Sequence, residues 1–173
     1  MKSFEFARLC RFFSLLLCCC FVLISCAAGG EKSAEDAVAS LLALCEEVPD
    51  GILYHSDAER GDVGYLSGEA FDLLYGEGAA EHELSLVEDY ALYLSSFATP
   101  FEVAVFRCYE RSDADRLGAI LLNRSDFLKV CLRECGLYEA YGESIHVTVT
   151  GRYALLILSP ESFSDAELSG AVR

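Results

Sequence analysis

Cysteines are the residues of this chain with the most chemistry to offer, and the sequence contains nine of them. Four follow the first 26 residues: Cys45, Cys108, Cys131 and Cys135. Cys131 and Cys135 are one helical turn apart, about 6 Å, which a disulfide can bridge, yet side chains at this spacing point along the helix. All four lie at predicted apolar positions, where a thiol packs as a small hydrophobic group. We expect buried free thiols; disulfides are the second interpretation and a metal site the third.

The other reactive side chains lack the spacing of a catalytic or metal site. His55, His82 and His146 are far apart in the sequence, and His146 is expected at a solvent-facing or edge position of a strand. The chain has no Gly-x-Ser-x-Gly elbow, phosphate loop or zinc helix motif. Arg60-Gly61-Asp62 matches the tripeptide that integrins recognise, but Gly-Asp in a polar loop is ordinary turn chemistry. We predict no catalytic residue, no metal and no cofactor.

Arg124 interrupts the apolar face of a predicted long helix. It lies on the line of Leu117, Leu121 and Leu128, where the helical period predicts an apolar residue. Such a break marks either a binding site or an arginine whose stem packs on the core. An unpaired buried guanidinium is too costly to keep, so a buried head needs an acceptor, and Glu102 is one candidate. We predict a structural role for Arg124, with ligand or partner binding as the alternative.

The front of the chain has the pattern of a signal peptide. Three positive charges in residues 2–11 precede an uncharged apolar run at 14–24, which is shorter than the ~20 residues of a membrane span. The run ends in Leu23-Ile24-Ser25-Cys26, which resembles the lipobox of bacterial lipoproteins. The resemblance implies that the signal peptidase recognises Leu23, Ile24 and Ser25, and that Cys26 becomes a diacylglyceryl cysteine. Its two acyl chains, such as palmitate, would anchor the protein stably. An ordinary secretory signal is the alternative.

These signals divide the chain into a lipoprotein signal peptide (1–25), a lipidated tether (26–32) and one α+β domain (33–173). The 173-residue chain has a formal net charge of −15, although its first 25 residues are basic. Such an acidic domain repels phosphate backbones, so we expect no nucleic acid partner. Acidity keeps a surface protein soluble; a specific basic partner is the alternative.

Hydrophobic periodicity predicts helices alternating with strand pairs. Two runs rich in aromatic and β-branched residues, 90–95 and 101–109, form one hairpin, and 145–149 with 153–158 form another around Gly151. A long helix over 112–135 joins the hairpins, and shorter helices begin at Ser33, Gly68 and Pro160. Residues 52–54 form at most a short strand. The predicted fold is an α+β antiparallel four-stranded sheet from two hairpins, with the helices packed on one face.

Several short motifs together resemble one family. They are Leu74-Tyr75-Gly76, the segment 86–93, the segment 102–106 followed by a helix with Arg124, and the segment 151–156. The set is similar to a family of small lipoproteins of Gram-positive anaerobes known as a domain of unknown function (four-three-five-eight). The chain departs from the family pattern where Ser125-Asp126 follows Arg124 and where Gly142 follows Tyr141. The resemblance implies that the protein is a membrane-anchored lipoprotein with the fold of that family, but it implies no activity.

Together these observations predict a lipoprotein held on the extracytoplasmic face of the cell membrane by its lipid anchor at Cys26. The absence of catalytic motifs favours a non-catalytic module that binds a ligand or a protein partner in the cell envelope. A hydrolase acting on envelope material without a recognisable motif is one alternative. An accessory subunit of a membrane complex is another.

Overall fold

Local sequence signals begin and end several helices in the computed structural model, which describes residues 31–95 and 99–173. The Ser33 hydroxyl caps the first helix by accepting a hydrogen bond from the Asp36 N–H at 3.1 Å. Ser164 and Glu167 form a reciprocal capping box at the start of the last helix. Gly136, with a φ of 72°, follows the end of the long helix in the left-handed conformation that glycine adopts without strain.

Six helices and five strands lie in the described ranges. In chain order they are α1 (Ala34–Leu42), β1 (Gly51–His55), α2 (Gly68–Tyr75), α3 (Ala79–His82), β2 (Val87–Ser95), β3 (Glu102–Cys108), α4 (Arg111–Glu134), α5 (Tyr138–Tyr141), β4 (Ile145–Thr150), β5 (Tyr153–Leu158) and α6 (Asp165–Ala171), with a 3₁₀ turn at Leu84–Leu86.

The strands form one antiparallel sheet in the order β1-β2-β3-β5-β4. The class, α+β with an antiparallel sheet, agrees with the sequence prediction, and so do the two hairpins joined by the long helix. The predicted number of four strands is wrong. β1 is a full fifth strand because it pairs residues 51–55 with residues 91–95 of β2, on the side of β2 that β3 leaves open. A five-residue run is too short for its alternation to predict this pairing.

Helices cover both faces of the sheet, so the prediction of helices on one face is also wrong. On one face, α1 and α6 pack with Val103, Val105 and Leu155. On the other, α2 and α4 pack with Phe106 and Leu156. Strands covered on both sides read as continuous apolar runs, and every residue of β5 is buried. The uninterrupted apolar run at 153–158 is therefore typical of a strand that is covered on both faces of the sheet.

The long helix and the second hairpin lie where they were predicted, whereas the last helix does not. The sequence favours a start at Pro160, but α6 begins at Asp165. The capping box of Ser164 and Glu167 satisfies the N–H groups at that later position and determines the start.

Polar contacts hold the chain at the beginning of the compact unit Lys32–Arg173. The Lys32 ammonium donates to the Ser40 hydroxyl at 3.0 Å and to the Ala171 carbonyl at 2.6 Å. The Tyr153 hydroxyl donates to the Lys32 carbonyl at 2.6 Å. Lys32 is therefore tied to α1, to β5 and to the end of α6. Among the described residues, no helix combines the length and the hydropathy needed to cross a membrane.

Candidate functional site

The strongest candidate site lies where α4 crosses the beginning of β3. Side chains alternate along β3, so Glu102 shares the face of Ala104 and Phe106, which α4 covers. On α4, Leu117 and Leu121 are buried against the same face, and Arg124 follows one turn later. Sheet register and helical period together place the Arg124 guanidinium over the Glu102 carboxylate.

Arg124 and Glu102 form a forked ion pair. Arg124 Nη2 lies 2.7 Å from Glu102 Oε2, and Nε donates to Oε1 at 3.3 Å. The two side chains are only 10% and 4% exposed. Burial alone would lower the pKa of Arg124, but the charge and hydrogen bond of Glu102, together with the neighbouring Tyr75 and Cys131, raise it above its usual value. Arg124 therefore meets the carboxylate that the sequence offers as a candidate partner, instead of extending its head into water.

Tyr75 completes a buried polar cluster with this pair. Its hydroxyl donates to Glu102 Oε1 at 3.5 Å. Burial, together with the neighbouring Glu102 charge, raises the pKa of Tyr75 well above its usual value. Edge-on contacts position its ring against Phe106, with centroids 5.5 Å apart, and a tilted contact joins it to Phe71 at 4.8 Å. The phenol is thus a neutral donor at the base of the site.

A pocket of about 240 Å³ opens beside Arg124. Leu73 and Phe127 are among its lining residues, although their side chains are 85% and 58% exposed. The Phe127 ring also lies beside the guanidinium, with 5.8 Å from Arg124 Cζ to the centroid. The hydrogen bonds of the described residues use neither Arg124 Nη1 nor the exposed Asn123 amide. The pocket thus combines unused polar groups with an exposed apolar rim.

A second pocket of about 140 Å³ adjoins the first, because Tyr75 and Gly76 line both. Its lining includes Glu83 and, from α4, Ile120. Glu83 Oε1 accepts a hydrogen bond from Arg116 Nη2 at 2.8 Å. Glu83 Oε2 is buried and has no hydrogen-bond partner. A buried oxygen of this kind costs free energy unless a ligand or water satisfies it.

Sequence reasoning found Arg124 and Glu102 but missed the rest of this site. Phe127 carried a readable signal, since an aromatic residue off the Leu117–Leu121–Leu128 line of α4 is exposed without a core to explain it. The sequence around Tyr75 and Glu83 gives no comparable indication that these residues line a site. They come from the α2–α3 region, whose position against α4 depends on tertiary packing.

The four cysteines after residue 26 are free. Cys108 is buried as predicted, but Cys45 and Cys131 are only half-buried and Cys135 is exposed, so burial of all four thiols is wrong. Cys135 is the C-cap of α4, and its neighbours Glu134 and Gly136 are exposed as well. Burial raises the pKa of Cys108 to about 12. Burial and the neighbouring Glu161 charge raise the pKa of Cys45 to about 11.

The remaining sequence candidates stay apart. His146 lies on the edge strand β4, as predicted, and its Nε2 accepts from the Phe163 N–H at 3.5 Å. Arg60, Gly61 and Asp62 are exposed. In the part of the chain that the structure describes, no three His, Cys, Asp or Glu side chains gather as a metal site. The proposed lipidation residue Cys26 and the recognition residues Leu23, Ile24 and Ser25 lie outside the described residues.

Comparison of the chain with protein-family models, with curated proteins and with solved structures found no match. The resemblance to the lipoprotein family of unknown function therefore stays a prediction from the motifs.

Proposed function

We propose that this protein is a lipoprotein anchored through Cys26 to the extracytoplasmic face of the cell membrane, where it works as a non-catalytic binding module. Its binding site is the pocket beside Arg124. The proposed membrane location rests on the signal-peptide pattern and on Leu23-Ile24-Ser25-Cys26. The binding role rests on the geometry of the pocket.

The observation that carries the binding role is the exposure of Leu73 and Phe127 around an unused donor. Large apolar side chains exposed together cost free energy in water, and they mark binding surfaces in soluble domains. Here they flank Arg124, whose Nη1 has no acceptor among the described residues. An apolar rim around a polar group that can orient a ligand is the usual composition of a binding pocket.

A specific observation also favours an accessory subunit of a membrane complex. Phe127 and Val130 lie on one exposed face of α4, and the exposed Leu137 follows shortly after the helix ends. Such a face could pack against a partner protein.

Two linked measurements test the proposal in the native membrane. The first compares wild type with Cys26→Ala by fractionation and by mass spectrometry of the mature N-terminus. We expect a diacylglyceryl adduct on wild-type Cys26, and loss of membrane retention or of processing in the variant. An unmodified N-terminus at another residue would show that the anchor assignment is wrong.

The second measurement tests binding by crosslinking the tethered protein to its neighbours, with Phe127→Ala as the pocket variant. The matched control is Leu122→Ala, which removes an exposed apolar side chain of α4 that does not line the pocket. We expect the crosslinked partner to be lost in Phe127→Ala and kept in Leu122→Ala. Equal crosslinking by both variants would place the binding surface elsewhere.

A further inference from the structure

The five-stranded sheet ends in two edge strands, β1 on one side and β4 on the other. An edge strand presents backbone N–H and C=O groups that no neighbouring strand uses, and these groups can pair with another chain. The edge of β1 is partly covered, because the His55 N–H donates to the Gly64 carbonyl at 3.1 Å. A Cβ at Gly64 would also lie 3.0 Å from the Leu53 carbonyl oxygen, so the segment after β1 lies close against this edge.

The hydrogen bonds of β5 determine which backbone groups of β4 face outward. The Cys108 N–H donates to the Arg152 carbonyl at 2.8 Å, so Arg152 bonds toward β3. Because successive residues of a strand bond to neighbours on opposite sides, residues 153, 155 and 157 of β5 bond toward β4. The residues of β4 that pair with them are Thr150, Thr148 and His146. The backbone groups that point away from the sheet are therefore those of Ile145, Val147 and Val149.

These outward groups of β4 have no hydrogen-bond partner among the described residues. The strand also lacks the features that usually protect an edge. Residues 145–150 contain no proline and no charged side chain, and their register with β5 runs without a bulge. β4 is therefore an open edge that can accept a further strand.

A second copy of the same strand fits this edge. When two copies of β4 run antiparallel across a two-fold axis, the donors of one edge meet the acceptors of the other, because such a contact is self-complementary. One register uses all three outward residues: Val147 lies opposite Val147 of the second copy, and Ile145 lies opposite Val149. Each such pair can exchange two N–H···O=C hydrogen bonds.

The charges at the two ends of β4 fit the same register. Arg173 Nη2 donates to Thr150 Oγ1 at 3.2 Å, which places this exposed guanidinium at one end of the strand. Glu143, also exposed, lies just before the other end. Neither takes part in an ion pair among the described residues. The register sets Thr150 about 5 Å from Ser144 of the second copy, so each Arg173 lies close to Glu143 of the other copy.

We propose that this protein forms a two-fold dimer in which the β4 strands of two copies pair and continue the sheet from one copy into the other. Backbone hydrogen bonds of the three outward residues hold the edges together, and Arg173 with Glu143 fixes the register. The net charge of −15 on each chain makes the copies repel, so the dimer is reversible and weak. None of these residues lines the Arg124 pocket, so the dimer contact and the proposed ligand site are separate surfaces.

The test measures the protein mass of the full chain by light scattering in detergent micelles, with the detergent contribution subtracted, from about 1 to about 100 μM. We expect a monomer at the low end of this range and a dimer at the high end. Amide hydrogen exchange resolved to single residues should show Val147 and Val149 becoming protected as the dimer forms. Thr148, whose N–H already bonds to β5, should not change.

A proline variant tests the open edge. Val147→Pro removes an outward N–H and keeps the hydrogen bonds between β4 and β5, so it should raise the Kd of the dimer about tenfold or more. The matched control Val147→Ala keeps the N–H and should dimerise like wild type. Thermal melting of each variant checks that the fold is intact.

Charge variants test the register. Glu143→Arg or Arg173→Glu alone sets like charges against each other at both ends of the contact and should raise the Kd about tenfold. The double variant restores opposite charges and should recover wild-type dimerisation. Glu139→Arg, at an exposed position outside the contact, changes the net charge as Glu143→Arg does and should not weaken the dimer.

The proposal is overturned if the chain stays monomeric at about 100 μM, if the dimer persists in a folded Val147→Pro protein, or if the double charge variant dimerises no better than its single variants. A monomeric chain whose Val147→Pro variant loses a crosslinked partner in the native membrane would also overturn it. That result would show that the edge accepts a strand of another protein.

Discussion

The guanidinium of Arg124 and the carboxylate of Glu102 lie 2.7 Å apart beneath the surface of the protein, although the two residues are 22 positions apart in the chain. Each is a charge that the interior would otherwise exclude. Together they join the long helix to the start of a central strand, and one face of the pair reaches the pocket. The pair is therefore both a structural contact and the base of the proposed binding site.

Removal of the positive partner should destabilise the fold. Arg124→Met keeps the aliphatic stem but leaves the Glu102 carboxylate buried and unpaired, which costs about 3 kcal/mol or more. Urea denaturation at neutral pH measures the loss. Lys129→Met, which removes an ion pair to the exposed Asp126, should cost less than about 0.5 kcal/mol.

The double variant Arg124→Met with Glu102→Gln should recover much of that loss, because it removes the stranded charge. If Arg124→Met had native stability and had lost binding to its crosslinked partner, Arg124 would serve the ligand and not the scaffold.

Tyr75 should make the fold sensitive to alkaline pH. Its pKa in the folded state is raised by burial and by Glu102, so its contribution is present below the unfolded pKa of about 10 and is lost as pH rises above that value. We expect the free energy of unfolding, measured with urea between neutral pH and about pH 11, to fall less steeply in Tyr75→Phe than in wild type.

Tyr109→Phe is the matched control, because this side chain is 57% exposed. It should retain the wild-type alkaline loss. Since the raised pKa values of Cys45 and Cys108 add to that loss in every variant, the comparison rests on the difference between the two tyrosine substitutions. Identical curves for both variants would contradict the burial of the Tyr75 phenol.

Gly118 lets α4 approach the sheet closely. A Cβ at this position would lie 2.5 Å from Val149 Cγ2, and the β-branched valine cannot easily turn aside. Gly118→Ala should therefore destabilise the fold by about 1–3 kcal/mol, although alanine favours the helix by about 1 kcal/mol.

Gly170→Ala provides the contrasting case within α6, since a Cβ there would meet no atom within 4 Å beyond its own helix and neighbours. It should be neutral or stabilising by up to about 1 kcal/mol. Thermal unfolding of both variants measures the difference. A stabilising Gly118→Ala would mean that α4 packs farther from β4 than the structure describes.

Thiol reactivity should follow exposure and pKa. In the folded protein under reducing conditions, an alkylating reagent should label the exposed Cys135 first and the buried Cys108 last, because alkylation needs an accessible thiolate. Mass spectrometry of peptides after timed labelling gives the order. Equal rates for the two residues would disprove the burial of Cys108, and after denaturation both should label fully.

The sequence by itself determined the elements whose signals are local. The caps at Ser33 and Gly136 and the apolar period of the long helix act within a few residues, so α1 and α4 lie close to their predicted positions. The same period shows Arg124 at a position where an apolar residue is expected. Because a buried guanidinium without a partner costs too much free energy, a hydrogen-bond acceptor was expected beside it. Glu102 followed as a candidate because the chain offers a carboxylate on the adjacent hairpin.

Only the tertiary structure decided which residues meet across the chain. Contacts between distant segments decide the pairing of β1 with β2, the covering of both faces of the sheet and the position of α2 beside Arg124. Such contacts are selected by the free energy of the whole packed fold and not by the propensity of any one segment. For this reason Arg124 was visible as an anomaly in the sequence, whereas the pocket beside it became visible only when packing brought Leu73 and Tyr75 of α2 to its side.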